Sequence, residues 1–319
     1  MVFNKALVTG GAGFIGSHIV DRLLEDGLDV SVLDDLSTGN KRNIERHIVS
    51  RSISFIEADI RDSTAVRKAV KDVDVVFHEA ALVSVTRSVE DPLRTNDVNV
   101  TGTLNLLEAS CEMGVKRFIY ASSSSVYGES QTLPKKETMK TLPISPYATS
   151  KLAAENYCQV FYHVKDLETV CLRYFNVYGP RQTSGPYSGV ITNFINRVLN
   201  GEPPIIYGDG KQTRDFTNVE DVVEANVLAS KSKSAIGEVF NIATGKQMSI
   251  NQLVQKTLKI MDKENLKPRH VSPRSGDIRH SYADIGKAEK ILGYKPTVKI
   301  ENGLHSLVKW WKKNKEEEV

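Results

Sequence analysis

A tyrosine and a lysine stand four residues apart in "SPYATSK", residues 145–151. Behind a proline they read as the opening of a helix, where such positions share a face. A phenol beside an ammonium in a desolvated site can serve as a base near neutral pH. Taken alone, Tyr147 and Lys151 are explained as simply by a solvated helix surface, since lysine keeps its charged end in water. A second cluster, "VTGGAGFIG" from Val8 to Gly16, spaces Gly10, Gly13 and Gly16 by three, and Gly11 also satisfies G-x-G-x-x-G. Glycines there permit a tight turn, close approach of backbone to a pyrophosphate and close helix packing. The following helix N-terminus offers N–H groups to an anion.

Asp34 ends the run "SVLD", 18 residues beyond Gly16. An acid at that distance meets adenosine ribose hydroxyls and repels a 2′-phosphate, which favours NAD over NADP. Lys41 and Arg42 follow closely and keep NADP open. Asp59, in "EADIRD", reads equally as a contact near the adenine and as a helix N-cap.

The elements that must position these residues are legible in the first 175 or so positions, where short apolar runs alternate with amphipathic ones. Strands are expected at 6–8, 29–33, 53–58, 73–78, 117–121 and 169–174. Between the first two, Ile15, Ile19 and Leu23 recur at helical spacing, and Gly27 suits the C-terminal cap. Such alternation implies an α/β fold: a Rossmann-like, doubly wound parallel sheet with both faces covered. From residue 177 glycine and proline become frequent, as in "YGPRQTSGPYSG" and "NGEPPIIYGDGKQ", a texture of binding loops. "GEVFNIATG" reads as one more strand that returns to the first unit. The expected division is a dinucleotide-binding domain over 1–176, with a return segment near 217–243, and a smaller C-terminal substrate-binding domain over 177–319.

Composition narrows the classes. In 319 residues, 42 basic and 39 acidic side chains give a net charge of +3. That bias is too weak to suggest a nucleic-acid partner. Cys111, Cys158 and Cys171 are odd in number and form no C-x-x-C pair, as in a reduced intracellular chain. No signal-peptide pattern and no apolar run near 18 residues occurs, so a cytoplasmic location without a membrane partner is expected. No metal-ligand spacing stands out, and no metal is expected. The charged "KKNKEEEV" reads as a solvated helix end.

With the glycine loop, "ASSSSVYG" (121–128) and "PYATSK" (146–151), the sequence resembles the extended short-chain dehydrogenase/reductase family, and within it the NAD-dependent UDP-sugar 4-epimerases. The likeness runs along the whole chain through "HEAALVSV", "LRYFNVYGPRQ", "GDGKQTRDFTNVEDV" and "RSGDIRHSYADIGKAEKILGYKP". It implies that Tyr147 acts on the substrate hydroxyl, that Lys151 binds the nicotinamide ribose, and that lysine and pyridinium together favour the phenolate. Ser123 would bond the same oxygen and shuttle its proton, with Ser124 assisting. Ser122 and Ser125 are read as backbone-bonding residues of a strand end.

The resemblance also implies NAD contacts at Gly10, Gly13, Phe14, Ile15, Gly16, Asp34, Asp35, Ser37, Asp59, Ile60, Ala80, Ala81 and Asn99. Substrate contacts are implied at Asn176, Tyr207, Arg214, Arg274, Asp277 and Ser281. Phe216, like Tyr207, suits either uracil stacking or core packing. A homodimer is the expected assembly. Helix 147–164, with Leu152, Cys158 and Phe161, is a candidate for its interface, although the same side chains would also suit the sheet.

The residues before "VYG" discriminate among reactions. Relatives resembling 4,6-dehydratases carry Asp and Glu there, and uronate decarboxylases carry a Glu. Here the positions are Ser124 and Ser125, which cannot serve as acid and base of an elimination. Oxidation and re-reduction at one carbon remain, with a dehydrogenase or decarboxylase, or a binding-only protein, as other classes. Ser281 aligns with the position where galactose-specific enzymes narrow the sugar site. A small side chain there favours UDP-GlcNAc/UDP-GalNAc, with UDP-Glc/UDP-Gal also accepted. A one-residue shift would make Tyr282 the gate, and Arg279 with His280 would suit a glucuronate.

Overall fold

The computed structural model describes residues 3–183, 189–273 and 278–317. Seven strands form one parallel sheet: β1 (Lys5–Thr9), β2 (Asp29–Asp34), β3 (Ile53–Glu57), β4 (Val75–His78), β5 (Arg117–Ser123), β6 (Glu168–Tyr174) and β7 (Val239–Ile242). Their order across the sheet is β7-β6-β5-β4-β1-β2-β3. Every neighbouring pair is parallel. Runs such as "VVFH" and "ALVT" are buried throughout, as expected for strands covered on both faces.

The order reverses between β1 and β4, so the carboxyl ends of those strands open a crevice, the usual ligand position in such sheets. Helix α1 (Phe14–Glu25) follows β1 directly. Helices α2 (Ser63–Val70) and α3 (Gly102–Glu112) follow β3 and β4, and α4 (Pro146–Lys165) precedes β6. Beyond β6 lie α5 (Val190–Leu199), α6 (Val219–Lys231), α7 (Ile250–Ile260) and α8 (Ile300–Glu317). Apolar side chains of α1 and α6 share one buried cluster with one sheet face. Those of α2, α3 and α4 share another with the opposite face. The third cluster joins α5, α7 and α8 outside the sheet, around Phe194, Ile195, Leu253 and Leu307.

All six expected strands and the later seventh are present, with shifts of one to three residues at their ends. Val73 closes the turn after α2 instead of opening β4, its N–H donating to Val70 O. β5 runs on to Ser123, which carries that side chain to the crevice. β7 pairs with β6, so the chain does return to the first sheet after leaving it. Asp26 closes α1 and Gly27 follows at φ +81, the left-handed position glycine favours. No described helix is long and apolar enough to cross a membrane.

Candidate active site

α4 is set by its cap. Ser145 accepts the Ala148 N–H and Pro146 occupies the first turn, where its missing N–H costs nothing. One turn on, Tyr147 and Lys151 project against the end of β5. Lys151 is 4 % exposed and donates to Ala121 O at 2.7 Å, with Nζ 5.0 Å from the centre of the Tyr120 ring. The Tyr147 phenol faces Ser123, whose side chain acts to lower the phenol's proton affinity. Ser123 Oγ also accepts the Ser125 N–H at 3.2 Å and the Ser125 hydroxyl at 2.9 Å. With two donors arriving at its oxygen, the Ser123 hydroxyl is left to point its own proton at the phenol, the orientation that stabilises a phenolate.

The electrostatics amend one expectation. Burial pushes the Tyr147 phenol up and the Glu79 charge pushes it further, against the Ser123 bond that lowers it. Burial also lowers the Lys151 ammonium, while Glu79 raises it. The groups of the chain alone therefore raise the phenol, and the expected lowering rests on the pyridinium charge. Ser125 and Ser122 also differ from expectation. Ser125 serves Ser123, and Ser122 donates to Glu155 Oε2 at 2.5 Å, so both bond side chains.

Around the triad lies a cavity of about 750 Å³. Of the expected NAD contacts it is lined by Gly10, Gly13, Phe14, Ile15, Gly16, Asp34, Asp35, Ser37, Asp59, Ile60, Ala80 and Ala81. The loop fits the dinucleotide. A Cβ on Gly10, at φ +67, would lie 2.7 Å from Ala80 N, and one on Gly16 would lie 2.2 Å from Gly10 O. No side chain caps α1 and no acid stands in its first turn, which leaves its N-terminus to an anion. Asp34 is 6 % exposed and holds the loop by accepting the Ala12 and Leu36 N–H groups at 2.9 and 2.8 Å. Asp59 takes a fork from Arg61, and the helix cap is Asp62, so the N-cap reading of Asp59 falls. Lys41 reaches Glu57 at 3.6 Å, and neither it nor Arg42 lines the cavity.

Asn99 is placed differently from expectation. It lies in a π-helical turn, Asp97–Thr101, and spends its amide on Leu82 N, Leu82 O and Ser150 Oγ. It holds the wall of the cavity from behind without lining it.

At the far end Ser124, Asn176, Arg214 and Ser281 line the same space. Tyr207 is 37 % exposed and outside it, and Phe216 belongs to the third apolar cluster, so core packing wins there. Arg274 and Asp277 lie outside the described residues. Tyr282 does not line the cavity, and its carbonyl accepts the Lys135 N–H. Arg279 is forked onto Asp209 at 2.7 and 2.8 Å, and His280 bonds Thr213 at 2.9 Å; neither reaches the cavity. Among lining residues the sequence reading missed are Lys135, Gln182, Tyr174 and Glu79. Glu79 offered one signal, an acid inside the apolar run "VVFHEAAL".

The family model described as "NAD dependent epimerase/dehydratase family" matches residues 6–243. A putative UDP-glucose 4-epimerase of Methanocaldococcus jannaschii is 44% identical over 97% of this chain and 98% of its own. The solved UDP-N-acetylglucosamine 4-epimerase from Methanobrevibacter ruminantium M1, in complex with UDP-N-acetylmuramic acid, is 42% identical with a TM-score of 0.94, covering 98% of this chain and 100% of its own. A UDP-glucuronic acid 4-epimerase from Bacillus cereus, solved with UDP-glucuronic acid and NAD, is 36% identical with a TM-score of 0.91, covering 97% of this chain and 99% of its own. With the glycine loop, the Asp34 acid and the Ser123–Tyr147–Lys151 cluster in one crevice, the chain belongs to the NAD-dependent epimerase/dehydratase family, and its cofactor is NAD.

Proposed function

We propose that the protein is an isomerase that inverts C4 of a UDP-hexose. The observation that carries this reading is the Ser123–Tyr147–Lys151 cluster facing the cofactor cavity, with no acid at 124 or 125. Tyr147, as the phenolate that the Ser123 hydroxyl steadies, takes the C4 hydroxyl proton and becomes the neutral phenol. NAD, when bound, accepts the hydride from C4 and returns it. The 4-keto sugar turns over while its nucleotide stays anchored, so that its opposite face receives the returning hydride, and Tyr147 gives the proton back to the C4 oxygen. Asn176 and Arg214, and by the sequence reading Arg274 and Asp277, hold the diphosphate and uridine, since arginine forks suit phosphate oxygens. On this reading residues 177–319, less the return segment near 217–243, form the sugar-nucleotide domain.

UDP-GlcNAc/UDP-GalNAc is the favoured pair, with UDP-Glc/UDP-Gal accepted. Ser281 lines the cavity and Tyr282 does not, which supports room for an N-acetyl group. The glucuronate reading loses its residues, because Arg279 and His280 are engaged elsewhere. We place the reaction in the cytoplasm of a homodimer. Cys158 and Phe161 are buried on the sheet side of α4, so the apolar residues that remain for an interface are Tyr157, Val160 and Val164, with Val89 and Leu93 nearby in sequence-distant short helices. The test is incubation with UDP-GlcNAc, and separately UDP-Glc, without added NAD, with products resolved by NMR. UDP-GalNAc from the first supports the reading. Product from UDP-Glc alone would overturn the assignment of Ser281, and product from neither, with NAD supplied, would overturn the epimerase.

A further inference from the structure

Glu79 is a carboxyl group that the mechanism above does not use. It follows β4 directly and lines the cavity. Its Oε1 accepts the Tyr174 hydroxyl at 2.7 Å. Tyr174 ends β6 and itself accepts Asn226 Nδ2 of α6 at 2.8 Å. Asn226 cannot turn round, because its amide also donates to Val222 O. The chain of donors therefore runs one way, Asn226 to Tyr174 to Glu79, and ends on an acceptor. Burial pushes the Glu79 carboxyl up to about 7, while this donor chain and the Lys151 charge favour the carboxylate, so the group is mainly ionised at pH 8. Oε2 has no bonded partner among the described residues.

The charged neighbours come from three sides. α4 contributes Lys151 and Tyr147, each of which feels the Glu79 charge. β6 contributes Tyr174. On β4 the adjacent His78 is bonded to Thr9 and Thr103, and burial lowers it to about 3, so it stays neutral. The glycine loop offers only backbone, with a Cβ on Gly10 already meeting Glu79 C at 3.0 Å. A carboxyl serving only to brace Tyr174 would not need to face the cavity.

We propose that Glu79 is a positioning residue for hydride transfer: its carboxylate, aimed by Tyr174 and Asn226, favours the cationic, oxidised nicotinamide. The inference rests on the functional reading above. Opposite charges in a desolvated site attract strongly, so a negative group near Lys151 weights the oxidised over the reduced ring. The balance of the cofactor's two forms would decide how long the keto sugar persists.

The test uses the holoenzyme, dialysed at pH 8 against equal NAD and NADH, with the bound forms then quantified. Glu79→Gln is expected to move the bound ratio toward NADH by about fivefold or more. Glu79→Asp, which keeps the charge, is expected to stay within about twofold of wild type, and Tyr174→Phe, which removes the donor that aims and ionises the acid, to fall between wild type and Glu79→Gln. In turnover, the acid limb of the Glu79→Gln pH profile should move down, since the charge that raises Tyr147 is gone. If Glu79→Gln does not fold, Glu79→Met is read the same way. A neutral variant that keeps the wild-type ratio would overturn the proposal. Dialysis needs no sugar, so a wild type inactive on every UDP-sugar would overturn the functional reading alone.

Discussion

Tyr147 is half-buried beside a lysine that is itself desolvated, and its own desolvation makes the phenol a poorer acid. The base is thus completed by the Ser123 hydroxyl and by the positive charge that NAD brings. Tyr147→Phe is expected to lower turnover by about a thousandfold, with the melting midpoint little changed. Ser123→Ala should cost about ten- to a hundredfold. Equal losses for both variants in the melting scan and the assay would contradict a catalytic role. At this scale the sequence was informative where spacing carries chemistry, as at Tyr147, Lys151 and the glycines. At Glu79 its one signal, an acid in an apolar run, was too weak to read, because it has no spacing partner and Tyr174 lies 95 residues away. For Asn99, expected against the cofactor, only the π turn shows that its amide bonds Leu82 and Ser150.

Elements carry these residues to one place, and two devices at that scale are testable. Gly16 packs α1 against the turn, with a Cβ falling 2.2 Å from Gly10 O. Backbone must move to admit it, so Gly16→Ala is expected to reduce bound NAD at purification by at least about tenfold, read by absorbance after acid release. Behind Ser123 runs a buried network. Arg173 forks onto Glu155 at 3.0 and 2.6 Å and donates to Tyr127 OH at 2.8 Å, while Glu155 also accepts Ser122. Both partners are nearly sealed, at 5 and 3 % exposure. Arg173→Met leaves Glu155 buried and uncompensated, a loss of about 3–5 kcal/mol in denaturant unfolding. Removing both charges should recover much of it, and a double variant no better than Arg173→Met would contradict the pairing. Strand existence was legible from apolar runs. Strand ends were not, because the extension of β5 to Ser123 depends on pairing with β6 along its full length.

At the scale of the whole molecule, two histidines tie stability to pH. Burial lowers His78 to about 3 and His18 to about 4, each from an ordinary value of 6.5. The unfolded chain takes up their protons first as pH falls. Their stabilisation is full above about pH 6.5 and is lost as pH drops toward the folded values, by about 1.4 kcal/mol per unit for each histidine. His78→Asn should reduce that slope in unfolding curves taken between pH 4 and 6.5, and an unchanged slope would contradict the buried neutral state. The sheet order with its switch between β1 and β4 could be expected from strand–helix alternation, whereas the third apolar cluster could not. Its helices draw on sequence from 190 to 317, and loops rich in glycine and proline gave no period to follow.

The central claim is that hydride leaves C4 and returns to the same carbon while the sugar stays in the crevice. UDP-GlcNAc carrying deuterium at C4 tests it most directly, with the product examined by NMR and mass spectrometry and NAD left unsupplemented. The account predicts UDP-GalNAc that keeps the label at C4, with no accumulating free NADH. Label lost to solvent, or inversion at C4 that proceeds without reduction of bound NAD, would contradict it.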